Sequence, residues 1–177
     1  MASIISHHTI SLDGFVAGPD DAMEWVGEYG PATSLAQTTM NRIGAVVAGR
    51  RWHELAKDRW RGVEGIYGGK FTGEVFVLTH RPPAEQQSRV HFVSGGLQNA
   101  ISRAKEAADG KDIAIFGGSL TRQCIEQGLL DEIILHIAPV LLGSGVSLFG
   151  DTPRVELERV CFGVAERLTD VRLRVRR

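Results

Sequence analysis

Cysteine is scarce in this chain: the two that occur, Cys124 and Cys161, are too few for a disulfide framework and lack metal-site spacing. A reducing, cytoplasmic compartment is therefore the expectation. Long apolar runs are missing as well. The most hydrophobic stretch, residues 133–143, contains His136 and Pro139 and is too short to span a bilayer. The opening Met-Ala-Ser-Ile-Ile-Ser-His-His has neither the charged start nor the apolar run of an export signal. No sign of charge dominates: the formal net charge is −1, so nothing attracts nucleic acid or an anionic membrane globally. Repeats and low-complexity blocks are absent too. What remains is 177 residues, 43% hydrophobic and 23% charged, enough to bury one core, and one domain over residues 1–177 is expected.

The pattern along the chain alternates strands with helices. Residues 3–10 read as a first strand running into the turn Ser11-Leu12-Asp13-Gly14. Thr33 or Ser34 caps a helix to about Arg42, and apolar runs at 45–48, 74–79, 90–93 and 112–116 suit buried strands. Residues 62–73 hold five glycines and are expected to form a mobile loop. A helical face of Leu97, Ile101, Ala104 and Ala108 ends at Gly110, and a second helix runs from Gly117–Ser119 through Gln127. An apolar strand follows over 132–139. In the tail Val171, Leu173 and Val175 alternate with Arg172, Arg174 and Arg176, the mark of a half-solvated antiparallel strand. The expected fold is α/β, with a mixed, mostly parallel central sheet flanked by helices and an antiparallel C-terminal edge.

Three strand ends carry residues suited to anions. The strand ending Ile113-Ala-Ile-Phe meets Gly117-Gly118-Ser119-Leu120 where a helix begins, so backbone N–H groups and the helix dipole face a ligand that can approach closely. A tight turn without a ligand uses the same residues. Gly49-Arg50-Arg51 ends another strand, where guanidinium groups grip phosphate bidentately or simply sit in solvent. Thr79-His80-Arg81 ends a third and suits a further phosphate. Ligands of open α/β sheets gather at carboxyl strand ends, so the three together suggest a nucleotide with several phosphates. Other motifs fail. Glu64 and Phe71 break the phosphate-loop pattern around Lys70, and Gly117 opens no G-x-G-x-x-G fingerprint. His7 and His8 point to opposite faces of a strand, so no metal site is expected. Cys124 reads as core rather than nucleophile.

In order along nearly the whole chain, these segments resemble the cofactor-binding segments of dihydrofolate reductases. They are more similar still to the C-terminal reductase domain of the bifunctional riboflavin-biosynthesis deaminase-reductase, through Ser11-Leu12-Asp13-Gly14, Phe116-Gly117-Gly118-Ser119 and the tail from Pro139 to Phe149. The resemblance implies a dihydrofolate-reductase-like fold, a homodimer and NADPH as cofactor. It places Gly49, Arg50 and Arg51 at the cofactor phosphates, and Thr79, His80 and Arg81 at the adenosine 2′-phosphate. Gly117, Gly118, Ser119 and Leu120 would lie along the pyrophosphate and nicotinamide, with a cis peptide between the two glycines. The segment from Gly14 to Trp25 would match a mobile loop over the nicotinamide, with Met23 and Trp25 at its end. Ser6 and His7 would face the substrate.

Two departures accompany the likeness. The acid that dihydrofolate reductases place five residues beyond the loop tryptophan is Gly30 here, with Glu28 nearby but aimed elsewhere. No H-x-E with P-C-x-x-C deaminase signature precedes the domain. The expectation is therefore a stand-alone NADPH-dependent reductase that transfers a hydride to a small heterocyclic, carbonyl or imine substrate. The proton is assigned to water, His7 or the Ser6 hydroxyl, and Asp13 is the acid within a family marker, either catalytic or stabilising its turn. Alternatives are an NADP-binding module without turnover, a dihydrofolate reductase despite Gly30, and a domain serving chiefly assembly.

Overall fold

The structure, a computed structural model, describes residues 2–30, 32–84, 87–165 and 167–176. Its strands are β1 (Ile4–Ser11), β2 (Phe15–Ala17), β3 (Ile43–Gly49), β4 (Glu74–Leu78), β5 (Val90–Val93), β6 (Asp112–Phe116), β7 (Glu132–Ala138), β8 (Val146–Ser147), β9 (Leu157–Ala165) and β10 (Leu168–Val175). The helices are α1 (Ser34–Arg42), α2 (Arg50–Arg59), α3 (Leu97–Ala107) and α4 (Gly118–Glu126). Eight strands form one sheet in the order β5-β4-β3-β6-β1-β7-β10-β9, and β2 pairs with β8 apart from it. The pairs from β5 to β7 are parallel, whereas β7–β10 and β10–β9 are antiparallel. The expected mixed sheet with an antiparallel C-terminal edge is therefore present.

Strand side chains alternate between two faces, and both faces are covered. Ile4, Ala45, Val47, Ile113 and Ile115 pack with Leu97, Ile101 and Ala104 of α3 and Leu120 and Cys124 of α4. Ile5, Val46, Ala48, Ala114 and Ile134 form the opposite core with Val63, Ile66 and Phe71. Those last three residues correct the expected mobile loop. Residues Gly62–Gly69 wind into 3-10 turns because Val63 and Ile66 are buried against the sheet. Each fully buried Val or Ile contributes about 1.5–3 kcal/mol, which outweighs the permissiveness of the interspersed glycines.

The polar face of β10 also departs from its expected solvation. Asp170 is buried and Arg172 is paired with Glu132 of β7, while Arg174 and Arg176 do face solvent. Among the described residues, no helix is long and apolar enough to cross a membrane.

Candidate cofactor and substrate site

The topology sets the three anion-friendly segments side by side. Strands β4, β3 and β6 are neighbours and parallel, so Thr79, Gly49 and Gly117 follow one another along a single carboxyl edge. Helices α2 and α4 begin there behind Gly49 and Gly117, and α3 begins behind Gly96. None of these three helix starts has a side-chain cap. α1, by contrast, is capped by the Thr33 hydroxyl, which accepts from the Ala36 N–H. Three uncapped helix starts leave a concentration of unsatisfied N–H groups on this edge. Sequence reading missed the α3 start, although Ser94-Gly95-Gly96 at the end of β5 carries the same signal as Gly117-Gly118.

Gly49, Arg51, Gly117, Gly118, Ser119 and Leu120 line one cleft together with Trp52 and Met23. Gly117 turns the chain at φ +100°. Among the described residues no peptide bond is cis, which corrects the expectation at Gly117–Gly118: the left-handed region open to glycine makes the turn instead. A Cβ on Gly118 would stand 2.6 Å from the Ser147 carbonyl oxygen, so α4 starts flush against β8.

Other expected cofactor residues stand farther out. Arg50 pairs with Glu54 on the surface. Arg51 reaches back to Asp21 at 2.7 Å, and the Arg59 guanidinium donates to the Asp20 and Asp21 carbonyls, so the segment after β2 is tied to α2. Thr79 is buried and its hydroxyl accepts from the Arg81 N–H, while the His80 and Arg81 side chains are exposed.

The cleft continues past Met23, Trp52 and Phe116 to His7 and His8, and then into a cavity of about 460 Å³ beside Thr33, Tyr67 and His136. Gly30 lines that cavity, and no Asp or Glu is among its lining residues. The three spaces share walls, so one groove runs from the starts of α2 and α4 to the cavity.

His7 lies in it as expected; Ser6 does not. Ser6 is fully buried on the other face of β1, bonded to His8 Nδ1 at 3.1 Å and near the Thr121 hydroxyl at 3.4 Å. Trp25 is absent from the groove wall and turns its ring toward Tyr29, whereas Met23 is in the wall. Asp13 is occupied elsewhere: it accepts from the Ser11 hydroxyl and from the Leu142 and Gly143 N–H groups, which fastens two loops together. That geometry matches the turn-stabilising alternative, and Asp13 is not among the residues that line the groove.

A cluster unforeseen in the sequence occupies the cavity floor. His136 of β7 stands directly opposite Asp170 of β10 and two register steps from His7 of β1. His7 Nε2 is 2.8 Å from His136 Nε2, and His136 Nδ1 is 2.6 Å from Asp170 Oδ1. The Tyr67 hydroxyl is 3.1 Å from His7 Nδ1. Burial, then His136 and His8, push the His7 imidazole well below its usual value, and burial pushes His8 down to about 4. Burial raises the Tyr67 phenol. At neutral pH His7 and His8 are thus uncharged and Tyr67 keeps its phenolic proton. His8 Nε2 is buried without a hydrogen-bond partner, and its ring lies where the cleft meets the cavity.

Residues 2–173 match the family model described as the RibD C-terminal domain. The chain superposes along its full length on a putative riboflavin biosynthesis protein from Shewanella sp. PV-4, covering 100% of both chains at 24% identity and a TM-score of 0.82. It matches a Thermotoga maritima diaminohydroxyphosphoribosylaminopyrimidine deaminase/5-amino-6-(5-phosphoribosylamino)uracil reductase over 98% of its own length and 56% of that chain, at 14% identity and a TM-score of 0.66. An Enterococcus faecalis dihydrofolate reductase complexed with NADP(H) is similar over 98% of this chain and 94% of its own, at 14% identity and a TM-score of 0.64. The fold is therefore dihydrofolate-reductase-like.

Proposed function

The chain belongs to the RibD C-terminal domain family, and from that premise we propose that it is an NADPH-dependent pyrimidine reductase acting on an aminouracil such as 5-amino-6-(5-phosphoribosylamino)uracil. The observation that carries this reading is the unbroken groove from the uncapped starts of α2 and α4 to the His7–His136 cavity. Its chemistry fits a dinucleotide at one end and a small polar heterocycle at the other.

The residues present fit the cofactor. Gly117 to Leu120 and the start of α2 would hold the pyrophosphate on backbone N–H groups, and Thr79 to Arg81 with the α3 start would take the 2′-phosphate. Bound there, NADPH supplies the hydride. Trp52, Phe116 and Met23 wall the middle of the groove and exclude water. The unpartnered His8 Nε2 is placed to bond a polar group at the junction, which settles a buried nitrogen that otherwise costs about 1–3 kcal/mol. The substrate would sit in the cavity beyond, where binding orients an electrophilic C=N or C=O carbon toward the groove. Gly30 speaks against dihydrofolate, because that wall offers no carboxylate to a pterin.

The test is a titration with NADPH and NADH followed by tryptophan fluorescence, in which Trp52 lines the groove, then turnover of the aminouracil with the better cofactor. NADPH should quench strongly and NADH at least about tenfold more weakly; Arg81→Ala should erase the difference. Absence of quenching by either nucleotide overturns the reading, and tight binding without turnover would leave a nucleotide-binding module in its place.

A further inference from the structure

Reduction of a C=N or C=O bond consumes a proton as well as a hydride, and the cavity wall holds no carboxylic acid to give one. What it holds is a row of hydrogen bonds leading inward. It runs from the half-buried Tyr67 to three buried groups: His7, His136 and Asp170 are 8%, 3% and 6% exposed. Both nitrogens of each imidazole are engaged within the row.

Geometry fixes where the protons lie. A carboxylate only accepts, so His136 Nδ1 carries a proton toward Asp170. Two Nε2 atoms 2.8 Å apart hold one proton between them, since two bare lone pairs repel and two N–H groups collide. If His136 is neutral, that proton belongs to His7 Nε2, and His7 Nδ1 accepts from the Tyr67 hydroxyl. If His136 holds a second proton, every bond outward from it reverses, and the Tyr67 O–H is released toward the cavity.

We propose that Tyr67, His7, His136 and Asp170 form a one-proton relay that delivers, through the Tyr67 hydroxyl, the proton that accompanies hydride addition. This rests on the reductase reading of the groove. In the loaded state His136 is an imidazolium against the Asp170 carboxylate. As hydride reaches the substrate carbon, the Tyr67 O–H bond breaks and its proton bonds to the substrate nitrogen or oxygen. His7 Nδ1–H passes to the Tyr67 oxygen, and His136 Nε2–H passes to His7 Nε2. The product has gained one hydride and one proton, His136 has lost one proton, and solvent restores it through Tyr67. His7 changes tautomer and never its charge, which agrees with its depressed affinity for a second proton. Tyr67 is the catalytic residue here; His7, His136 and Asp170 act through it.

Nitrogen-15 NMR of the free protein tests the relay without any substrate. A coupling between the His7 and His136 Nε2 nuclei across their shared proton is expected. On acidification the His7 proton should move from Nε2 to Nδ1 while His136 becomes doubly protonated. The titratable groups facing the pair are Asp170 from β10, Tyr67 and Lys70 from the segment before β4, and His8 on β1; Thr33, which caps α1, and Ala36 and Met40 of α1 are uncharged. No coupling, or a doubly protonated His7, overturns the relay.

In turnover with NADPH and 5-amino-6-(5-phosphoribosylamino)uracil, Tyr67→Phe should lower the rate about 100-fold and leave NADPH quenching of Trp52 unchanged; an undiminished rate overturns delivery at Tyr67. Wild-type protein that does not turn over this uracil counts against the substrate, and the tautomer switch still decides the relay.

Discussion

At Glu132 two guanidinium groups converge on one carboxylate. Arg172 Nη2 approaches at 2.7 Å and Arg42 Nη2 at 3.3 Å, and Arg42 also reaches Asp112 at 2.6 Å. Burial raises the Glu132 carboxyl, but the hydrogen bond and charge of Arg172, with those of Arg42, outweigh it and leave the group below its usual range. A depressed folded value means the stabilisation is complete above the unfolded value and disappears as pH falls through the folded one. Glu132→Gln should therefore cost about 2 kcal/mol at neutral pH, because both arginines are partly solvated and lose less than a sealed pair would. In urea melts the gap between wild type and variant should close below about pH 4; a constant gap would show that charge is not its cause. The sequence marks none of these partnerships. Glu132 and Arg172, and His136 and Asp170, meet only when β7 and β10 pair in one register, and neither strand is near the other in the chain. His7 was legible only through the family resemblance, and it does line the groove from the first strand. Ser6, one residue away, was assigned to the substrate although strand alternation sends it to the opposite face.

At the scale of elements, the start of α4 is the most constrained piece of the groove. Gly117 needs its positive φ, while its missing side chain would meet nothing within 4 Å. Gly118 needs no special φ, but its Cβ would meet the Ser147 carbonyl at 2.6 Å. The two alanine variants therefore fail for different reasons. Gly117→Ala should cost about 1–3 kcal/mol of backbone strain and rotate the first N–H groups away from the ligand. Gly118→Ala should push α4 off β8. Both should weaken NADPH in the fluorescence titration, with the larger drop in melting temperature for Gly118→Ala; unchanged affinity in both would remove the α4 start from the cofactor site. These glycines were readable because a strand, two glycines and a helix occur in one continuous stretch. β2, β8 and β9 were not. β2 and β8 are three and two residues long and are strands only through each other. β9 shows no clean alternation of apolar and polar residues, since its apolar side chains are among the exposed ones.

Those exposed side chains matter for the whole molecule. β9 is the last strand of the sheet, so among the described residues its outer N–H and C=O groups have no strand beside them. Edges of this kind are usually blunted by charge, proline or brevity. β9 instead runs for nine residues and exposes Val160, Phe162 and Val164 at 38%, 62% and 80%. Phe162 pairs in register with Val171, on the β10 face whose Leu173 and Val175 join the α3–α4 core, so the apolar surface of the sheet continues outward onto β9. A second copy of the chain is the occupant that suits this edge. An antiparallel strand paired with itself across a two-fold axis is self-complementary in its hydrogen bonds, and it presents the same apolar residues from both sides. We therefore expect a homodimer joined through β9. Sedimentation should give a dimer at micromolar concentration for the wild type and a monomer for a Phe162→Glu, Val164→Lys double variant. The variant should retain NADPH quenching, because the groove is walled by residues of β1, β6, α2 and α4 and by none from β9. A wild-type monomer would sink the assignment, and a variant dimer would move the interface to another face.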